Sequence, residues 1–153
     1  MPTNFDEVID SEIPAVVAHL TEQHGASTFG LVGFCWGGRV AAGLCVKAGS
    51  GFAACGGIHA AMVTEELISP GLQCPLMLLQ CGNDPPLQPL VDLLADTPLA
   101  PMNVLRTYHD QLHGFCAGRG DWTDPTIAAA AKAATLTTVE FFKTHLSSDQ
   151  AKL

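Results

Sequence analysis

The chain of 153 residues has the length of a single domain built around one core. Apolar residues make up 48% of it and charged residues only 14%, which excludes a disordered chain and indicates elements buried on more than one side. There are 7 Lys and Arg against 15 Asp and Glu, so the formal net charge is -8. Such a charge would repel a phosphate backbone, and we expect no nucleic-acid partner.

The amino-terminal residues and the cysteines bear on the compartment. Residues 1–10 carry acids and no base, unlike the basic start of a targeting segment. No apolar run reaches the roughly 18 residues that span a bilayer, so we expect no membrane contact. The six cysteines fall mostly inside apolar runs, a pattern that favours reduced, buried thiols over disulfides. We therefore expect a cytoplasmic protein.

The predicted elements begin with an amphipathic helix, because apolar residues between Phe5 and Leu20 recur every three or four positions. Pro14 either kinks this helix or lies in the first turn of one capped by Ser11, and Gly25 ends it. Apolar runs then predict strands over 28–34, 52–58, 75–80 and 103–108, and helices over 36–47, 64–68, 87–95 and 125–145. Strands that alternate with helices predict an α/β fold with three layers and a mostly parallel sheet flanked by helices, in a single domain over residues 1–153. The first strand is apolar on both faces, as a central parallel strand is.

The first strand joins its helix through Gly33-Phe34-Cys35-Trp36-Gly37-Gly38, which has the form of a nucleophile elbow with cysteine in place of serine. A strand that turns abruptly into a helix strains the residue at the turn, and glycines at flanking positions avoid collisions. The helix amino terminus presents N–H groups and the positive end of its dipole beside Cys35, and the Trp36 N–H is the expected oxyanion donor. The alternative is a buried cysteine in an ordinary tight turn.

A nucleophile on an elbow needs a base and an acid, which follow it in the order acid, then histidine. Asp84 comes just after the predicted strand 75–80, and His113 comes just after the strand 103–108. We expect His113 to take the proton of Cys35 and Asp84 to orient the imidazole. Alternatively, Asp84 only shapes a turn and His113 is an ordinary loop histidine.

Other residues have weaker claims on the site. His59 ends the second strand on the same side and could contact substrate, although a hydrogen-bonded structural role is the alternative. His109 and His113 only faintly resemble a zinc-protease motif, because a strand precedes them and a glycine follows, so we expect no metal and no cofactor. Cys116, in the loop of His113, is the thiol expected to oxidise near the site.

These motifs together resemble the dienelactone hydrolase family, a cysteine-dependent branch of the α/β-hydrolases. The resemblance rests on residues 33–38, on Gly-Asn-Asp at 82–84 and on His-Gly-Phe-Cys-Ala-Gly-Arg-Gly-Asp at 113–121, and extends over nearly the whole chain. It implies hydrolysis of a small-molecule ester or lactone, often one bearing a carboxylate, through a thioester acyl-enzyme. It also implies that Arg119 binds that carboxylate, with a surface ion pair to Asp121 as the alternative.

The chain departs from the family in beginning only one helix before the elbow strand. The resemblance then implies the carboxyl-terminal part of a partial α/β-hydrolase fold, without the early strands, the second oxyanion donor, and the upstream glutamate and arginine of the family. Activity would be reduced, and one flank of the first strand would be left unpaired, so we expect a homodimer or a partner chain at this sheet edge. The alternatives to a hydrolase are a silent half-domain that assembles with a partner chain, and an enzyme that is complete only with that chain.

Overall fold

The computed structural model describes residues 5–147. The strands are β1 (Phe29–Phe34), β2 (Phe52–Ile58), β3 (Leu76–Cys81) and β4 (Val104–Tyr108). The helices are α1 (Phe5–Glu7), α2 (Ile13–His24), α3 (Trp36–Val46), α4 (Glu65–Ile68), α5 (Gln88–Leu94) and α6 (Pro125–Leu146), with a π-helical turn at Val8–Glu12 and a 3₁₀ turn at Ala100–Met102. None of the helices in residues 5–147 is both long and apolar enough to cross a bilayer.

The four strands form one sheet in the order β1-β2-β3-β4, and every neighbouring pair is parallel. The predicted α/β fold with a parallel sheet and flanking helices is therefore confirmed. Because all strands run the same way, their carboxyl ends lie side by side at one end of the sheet. Loops that follow β1, β3 and β4 are brought together there.

Helices cover both faces of the sheet, which gives the three layers. On one face, Leu76 and Leu78 of β3 pack in a cluster with residues of α3, α4 and α5. On the other face, Met77 and Leu79 pack against α6, including Phe141. All six residues of β3 are buried, which is what a parallel strand between two helical layers requires. The assignment of residues 1–153 to a single domain stays a prediction.

The expected amphipathic helix forms, but its packing differs from the prediction. Helical backbone runs from Phe5 to His24 with a π-helical turn at Val8–Glu12, and Pro14 lies in the first turn of α2. Ser11 does not cap that helix, because its hydroxyl donates to the Glu7 carbonyl. No residue of α2 is fully buried, but Ile13, Val17 and Leu20 are half-buried, and Ile13 packs against the cluster that contains Ile9. The apolar spacing was thus right about the helix, while the predicted stripe is mostly half-buried rather than buried, and Val16 is 54% exposed.

The strand β1 is the outer strand of the described sheet rather than a central one. It pairs with β2 alone among residues 5–147, and its burial alternates. Val32 and Phe34 remain 40% and 45% exposed. The prediction of a strand covered on both faces was therefore wrong at these positions, and the other flank of β1 pairs with no strand among residues 5–147.

Most remaining boundaries agree with the sequence to within one or two residues. Gly25 ends α2 in the left-handed conformation, with φ 65°. The Asp124 carboxylate caps α6 by accepting from the N–H groups of Thr126 and Ile127, as predicted.

Candidate active site

Cys35 lies at the sharp turn between β1 and α3, with φ 54° and ψ -119°. This is a strained conformation for a residue with a side chain, and the surrounding backbone holds it. The Cys35 N–H donates to the Ile58 carbonyl at 3.2 Å, and the Cys35 carbonyl accepts from Gly38 at 3.0 Å and Ala61 at 2.9 Å. The thiol is exposed at the turn, so the residue is not a cysteine buried in the core.

Close packing explains two of the three glycines of the turn. A Cβ at Gly33 would overlap the backbone of Gly37, and a Cβ at Gly38 would overlap the side chain of Ala60. A Cβ at Gly37 would meet nothing within 4 Å. The steric expectation therefore holds for Gly33 and Gly38 but not for Gly37.

A chain of two contacts links the three residues singled out from the sequence. His113 Nε2 lies 3.2 Å from Cys35 Sγ, and His113 Nδ1 lies 2.7 Å from Asp84 Oδ1. The three residues come from the loops after β1, β3 and β4, so the parallel sheet brings them together. A thiol in contact with an imidazole that is itself held by a carboxylate is the arrangement that can move a proton off sulfur.

The loops that carry Asp84 and His113 are bonded to each other. Asp84 Oδ2 accepts from the Cys81 N–H at 2.9 Å, and Asn83 Oδ1 accepts from the His113 N–H at 2.7 Å. The Gly82 N–H also donates to the Gln111 carbonyl at 3.0 Å. Asp84 therefore both shapes its turn and meets the imidazole. Asn83 positions the His113 backbone, a role that sequence reasoning missed because nothing in the spacing shows which loop it faces.

His59 lies beside His113 in the interior of the site. It is 2% exposed, its φ is 40°, and its ring meets that of His113 edge to face at 4.9 Å between centroids. Neither ring nitrogen has a hydrogen-bond partner within the described residues, so the expected hydrogen-bonded structural histidine is not what forms. Burial, reinforced by the nearby His113, lowers the pKa of His59.

Trp36 and Arg119 occupy different positions at the site. The half-buried Trp36 ring packs against a cluster that contains Val40 and Leu44, while its backbone N–H belongs to the first residue of α3. That N–H has no acceptor within the helix.

Arg119 is exposed, and in residues 5–147 its guanidinium forms no ion pair. Asp121 accepts from Thr123 instead, so the alternative of an Arg119–Asp121 pair is wrong.

The other cysteines near the site are shielded from reaction. Burial raises the pKa of Cys116 to about 11. Burial, together with the charge of Asp84, raises the pKa of Cys81 to about 12. Both thiols stay protonated at neutral pH, so the expectation that Cys116 would oxidise readily is not supported.

His109, the other half of the faint zinc-protease motif, lies on the surface after β4. Within residues 5–147, the potential metal ligands that gather in a group of three are Cys45, Cys55 and Cys74, which are buried away from this site.

Comparison with protein families matches residues 1–146 to the dienelactone hydrolase family. The chain belongs to the dienelactone hydrolase family. A human protein described as "Carboxymethylenebutenolidase homolog" is 30% identical over 124 residues, covering 75% of this chain and 48% of that protein. The chain thus spans about half the length of this curated relative. No solved structure matches the chain. Family membership and the name of the relative point to a hydrolase.

Proposed function

We propose that the chain hydrolyses small esters or lactones through a thioester acyl-enzyme, with Cys35, His113 and Asp84 as its catalytic triad. The observation that supports this most directly is the pair of contacts at 3.2 Å and 2.7 Å that joins the thiol, the imidazole and the carboxylate. The proposal goes beyond family membership, because it assigns a nucleophile and a reaction path to particular atoms.

In the proposed acylation, Cys35 Sγ attacks the carbonyl carbon while its proton passes to His113 Nε2. The carbonyl oxygen becomes an oxyanion that accepts a hydrogen bond from the Trp36 N–H, at the positive end of the α3 dipole. The intermediate collapses to a thioester, and the alcohol leaves with the proton that His113 held. Asp84 keeps Nδ1 protonated and stabilises the imidazolium.

Deacylation uses the same residues in the opposite direction. His113 takes a proton from water, the hydroxyl attacks the thioester carbon, and the carboxylic acid departs as the proton returns to Cys35 Sγ. A lactone gives a single product in which the acid and the alcohol stay joined.

The human relative is named as a homologue of a carboxymethylenebutenolidase, and the carboxymethylenebutenolide in that name is a lactone that carries a carboxylate. We propose that Arg119 binds the carboxylate of a similar substrate, because its exposed guanidinium has no partner in the described part of the chain. An Arg119→Gln variant is expected to raise KM for an ester that bears a carboxylate and to leave KM for a neutral ester unchanged. Equal changes for both substrates would contradict this role.

His59 is the second proposed substrate contact. Its ring is buried against His113, and its two unbonded nitrogens give it hydrogen-bonding capacity that the described residues do not use. A His59→Phe variant keeps a ring of similar shape and removes both nitrogens. We expect a higher KM with little change in the rate of single-turnover acylation; an unchanged KM would count against contact with substrate.

The reaction is tested by mixing the purified chain with p-nitrophenyl acetate and following release of p-nitrophenol. We expect a burst close to one equivalent, lost in Cys35→Ala and kept in Cys116→Ala, which removes the half-buried thiol of the neighbouring loop. Circular dichroism establishes that both variants fold. A burst that survives in Cys35→Ala would refute the assignment of the nucleophile.

A second candidate function is assembly without catalysis, and the exposed edge strand favours it. Val32 and Phe34 of β1 are 40% and 45% exposed, and an apolar groove of about 540 Å³ beside α6 includes Phe142 and Leu146. Unpaired backbone next to exposed apolar side chains is a template for strand addition. We propose a second copy of the chain as the occupant, because a two-fold axis pairs two identical β1 edges antiparallel.

Sedimentation velocity tests the assembly, and the burst assay separates assembly alone from catalysis. We expect a dimer that Phe34→Ser weakens and that Leu136→Ser, which alters an exposed apolar residue of α6, leaves intact. A monomer at high concentration would contradict the assembly. A folded dimer that gives no burst would favour assembly without catalysis, whereas a burst would favour the hydrolase.

We propose the cytoplasm as the compartment of this protein, because its six free cysteines agree with a reducing environment.

A further inference from the structure

Three cysteines from separate elements meet in the core, at the end of the sheet opposite the candidate active site. Cys45 lies in the last turn of α3, Cys55 in β2, and Cys74 in the loop that enters β3. The Sγ atoms of Cys45 and Cys74 are 3.5 Å apart, those of Cys74 and Cys55 are 3.8 Å apart, and all three lie within 4.8 Å of one another. Their exposed fractions are 0%, 0% and 4% for Cys45, Cys55 and Cys74.

The spacing of these sulfur atoms fits three bonds to one soft ion. Soft metal–thiolate bonds of roughly 2.3 Å, at angles between about 90° and 120°, place the sulfur atoms roughly 3.3 to 4.0 Å apart. The two measured separations fall in this range. The third separation, between the Sγ atoms of Cys45 and Cys55, is no more than 4.8 Å. The backbone already holds the end of α3 against the loop that carries Cys74, because the Gln73 N–H donates to the Cys45 carbonyl at 2.8 Å.

The charge of the surroundings selects among soft ions. The neighbours in this core cluster are apolar, among them Ala41, Leu76 and Leu78. A copper(I) ion on three thiolates would bury a net charge of minus two, and zinc would need a fourth ligand, which the group lacks within residues 5–147. A trivalent ion on three thiolates is neutral, so it avoids the cost of burying a charge while it uses all three sulfur atoms.

We propose that Cys45, Cys55 and Cys74 form a binding site for a trivalent thiophilic ion of the arsenic group. With arsenous acid, three As–O bonds break and three As–S bonds form. Each thiol proton leaves with one hydroxide as water. Arsenic stays trivalent and the sulfur atoms keep their oxidation state, so no oxidant or reductant is needed. The proposal is independent of the proposed hydrolase, because it uses none of the active-site residues.

The test uses the full chain with Cys35 first blocked by iodoacetamide, so that the exposed thiol cannot compete. The blocked protein is incubated with arsenite, freed of excess by gel filtration, and weighed by native mass spectrometry. We expect one arsenic atom per chain, with the mass increased by one arsenic less three hydrogens. We also expect the melting temperature to rise with arsenite concentration, because the ion binds the folded state.

Cys55→Ala and Cys74→Ala are the test variants, and Cys81→Ala is the matched control because that thiol is also buried but lies outside the cluster. We expect both test variants to lose the bound arsenic and the thermal shift, and the control to keep them. Two variants of the cluster are used so that the test can still be made if one of them fails to fold. Retention of arsenic in both folded variants would overturn the proposal, as would no arsenic in the wild type, or copper(I) retained where arsenite is not.

Discussion

The packing of the elbow helix against β2 makes a specific prediction about Gly38→Ala. A Cβ there would lie 2.9 Å from Ala60 Cα and 3.3 Å from Gly57 Cα, whereas carbon atoms in contact normally sit roughly 3.5 to 4.0 Å apart. Both neighbours are backbone atoms that cannot rotate away. Overpacking of this kind costs about 1 to 3 kcal/mol of unfolding free energy. For a chain of this size, the melting temperature should fall by about 3 to 10 °C.

Gly37→Ala is the matched control in the same turn of α3. Its Cβ would meet nothing within 4 Å, so the substitution mainly restricts the unfolded chain and should stabilise by about 0.4 to 1 kcal/mol. The two variants are compared by thermal unfolding and by the p-nitrophenyl acetate burst. Gly38→Ala should also slow acylation, because the Gly38 N–H bonds the Cys35 carbonyl. Equal melting temperatures for the two variants would refute the packing of the elbow described above.

Three further predictions concern the site. Asp84→Asn should slow acylation by about 10³- to 10⁴-fold, since an amide holds the wrong tautomer of the imidazole, and a loss below tenfold in stopped-flow burst rates would contradict that role. Burial lowers the pKa of His59 in the folded protein, so as pH falls the His59 side chain is protonated in the unfolded chain before it is protonated in the folded one. The free energy of unfolding of the wild type should therefore decrease as pH drops below roughly 6.5. When the free energy of unfolding in urea is measured against pH, His59→Phe should weaken this fall in stability, whereas His24→Phe, at an exposed position, should not. The same pH dependence in wild type and His59→Phe would refute this role of His59. Iodoacetamide near neutral pH should modify Cys35 well before Cys116, whose pKa is raised to about 11, and peptide mapping that finds Cys116 modified first would contradict this.

Most of the fold could be predicted because apolar runs and capping residues in the sequence mark where each helix or strand begins and ends. The strand over 52–58 was located to the residue, and Asp124 before Pro125 marked the start of α6. The π-helical turn at Val8–Glu12 was not predicted, because its backbone bonding has no signature in apolar spacing. The exposure of the Val32 and Phe34 side chains on β1 was not predicted either. An apolar strand has the same composition whether or not a neighbouring element covers its side chains.

The candidate site was predictable to the extent that chain order places it. In a parallel sheet, residues just after successive strands must reach the same edge, so Cys35, Asp84 and His113 could be selected without coordinates. The support from Asn83 and the ring contact of His59 depend on loop conformation, which spacing does not encode. The cluster of three thiols also lay beyond prediction, since it depends on strand register rather than on a local motif.

Acylation of Cys35, with His113 as its base, can be observed by quenching the reaction with p-nitrophenyl acetate during the burst. The acetyl group is then located by peptide mass spectrometry. We expect acetyl on Cys35 in the wild type and a strongly reduced amount at the same time point in His113→Ala. Acetyl on another residue, or equal acetylation of Cys35 in both proteins, would contradict it.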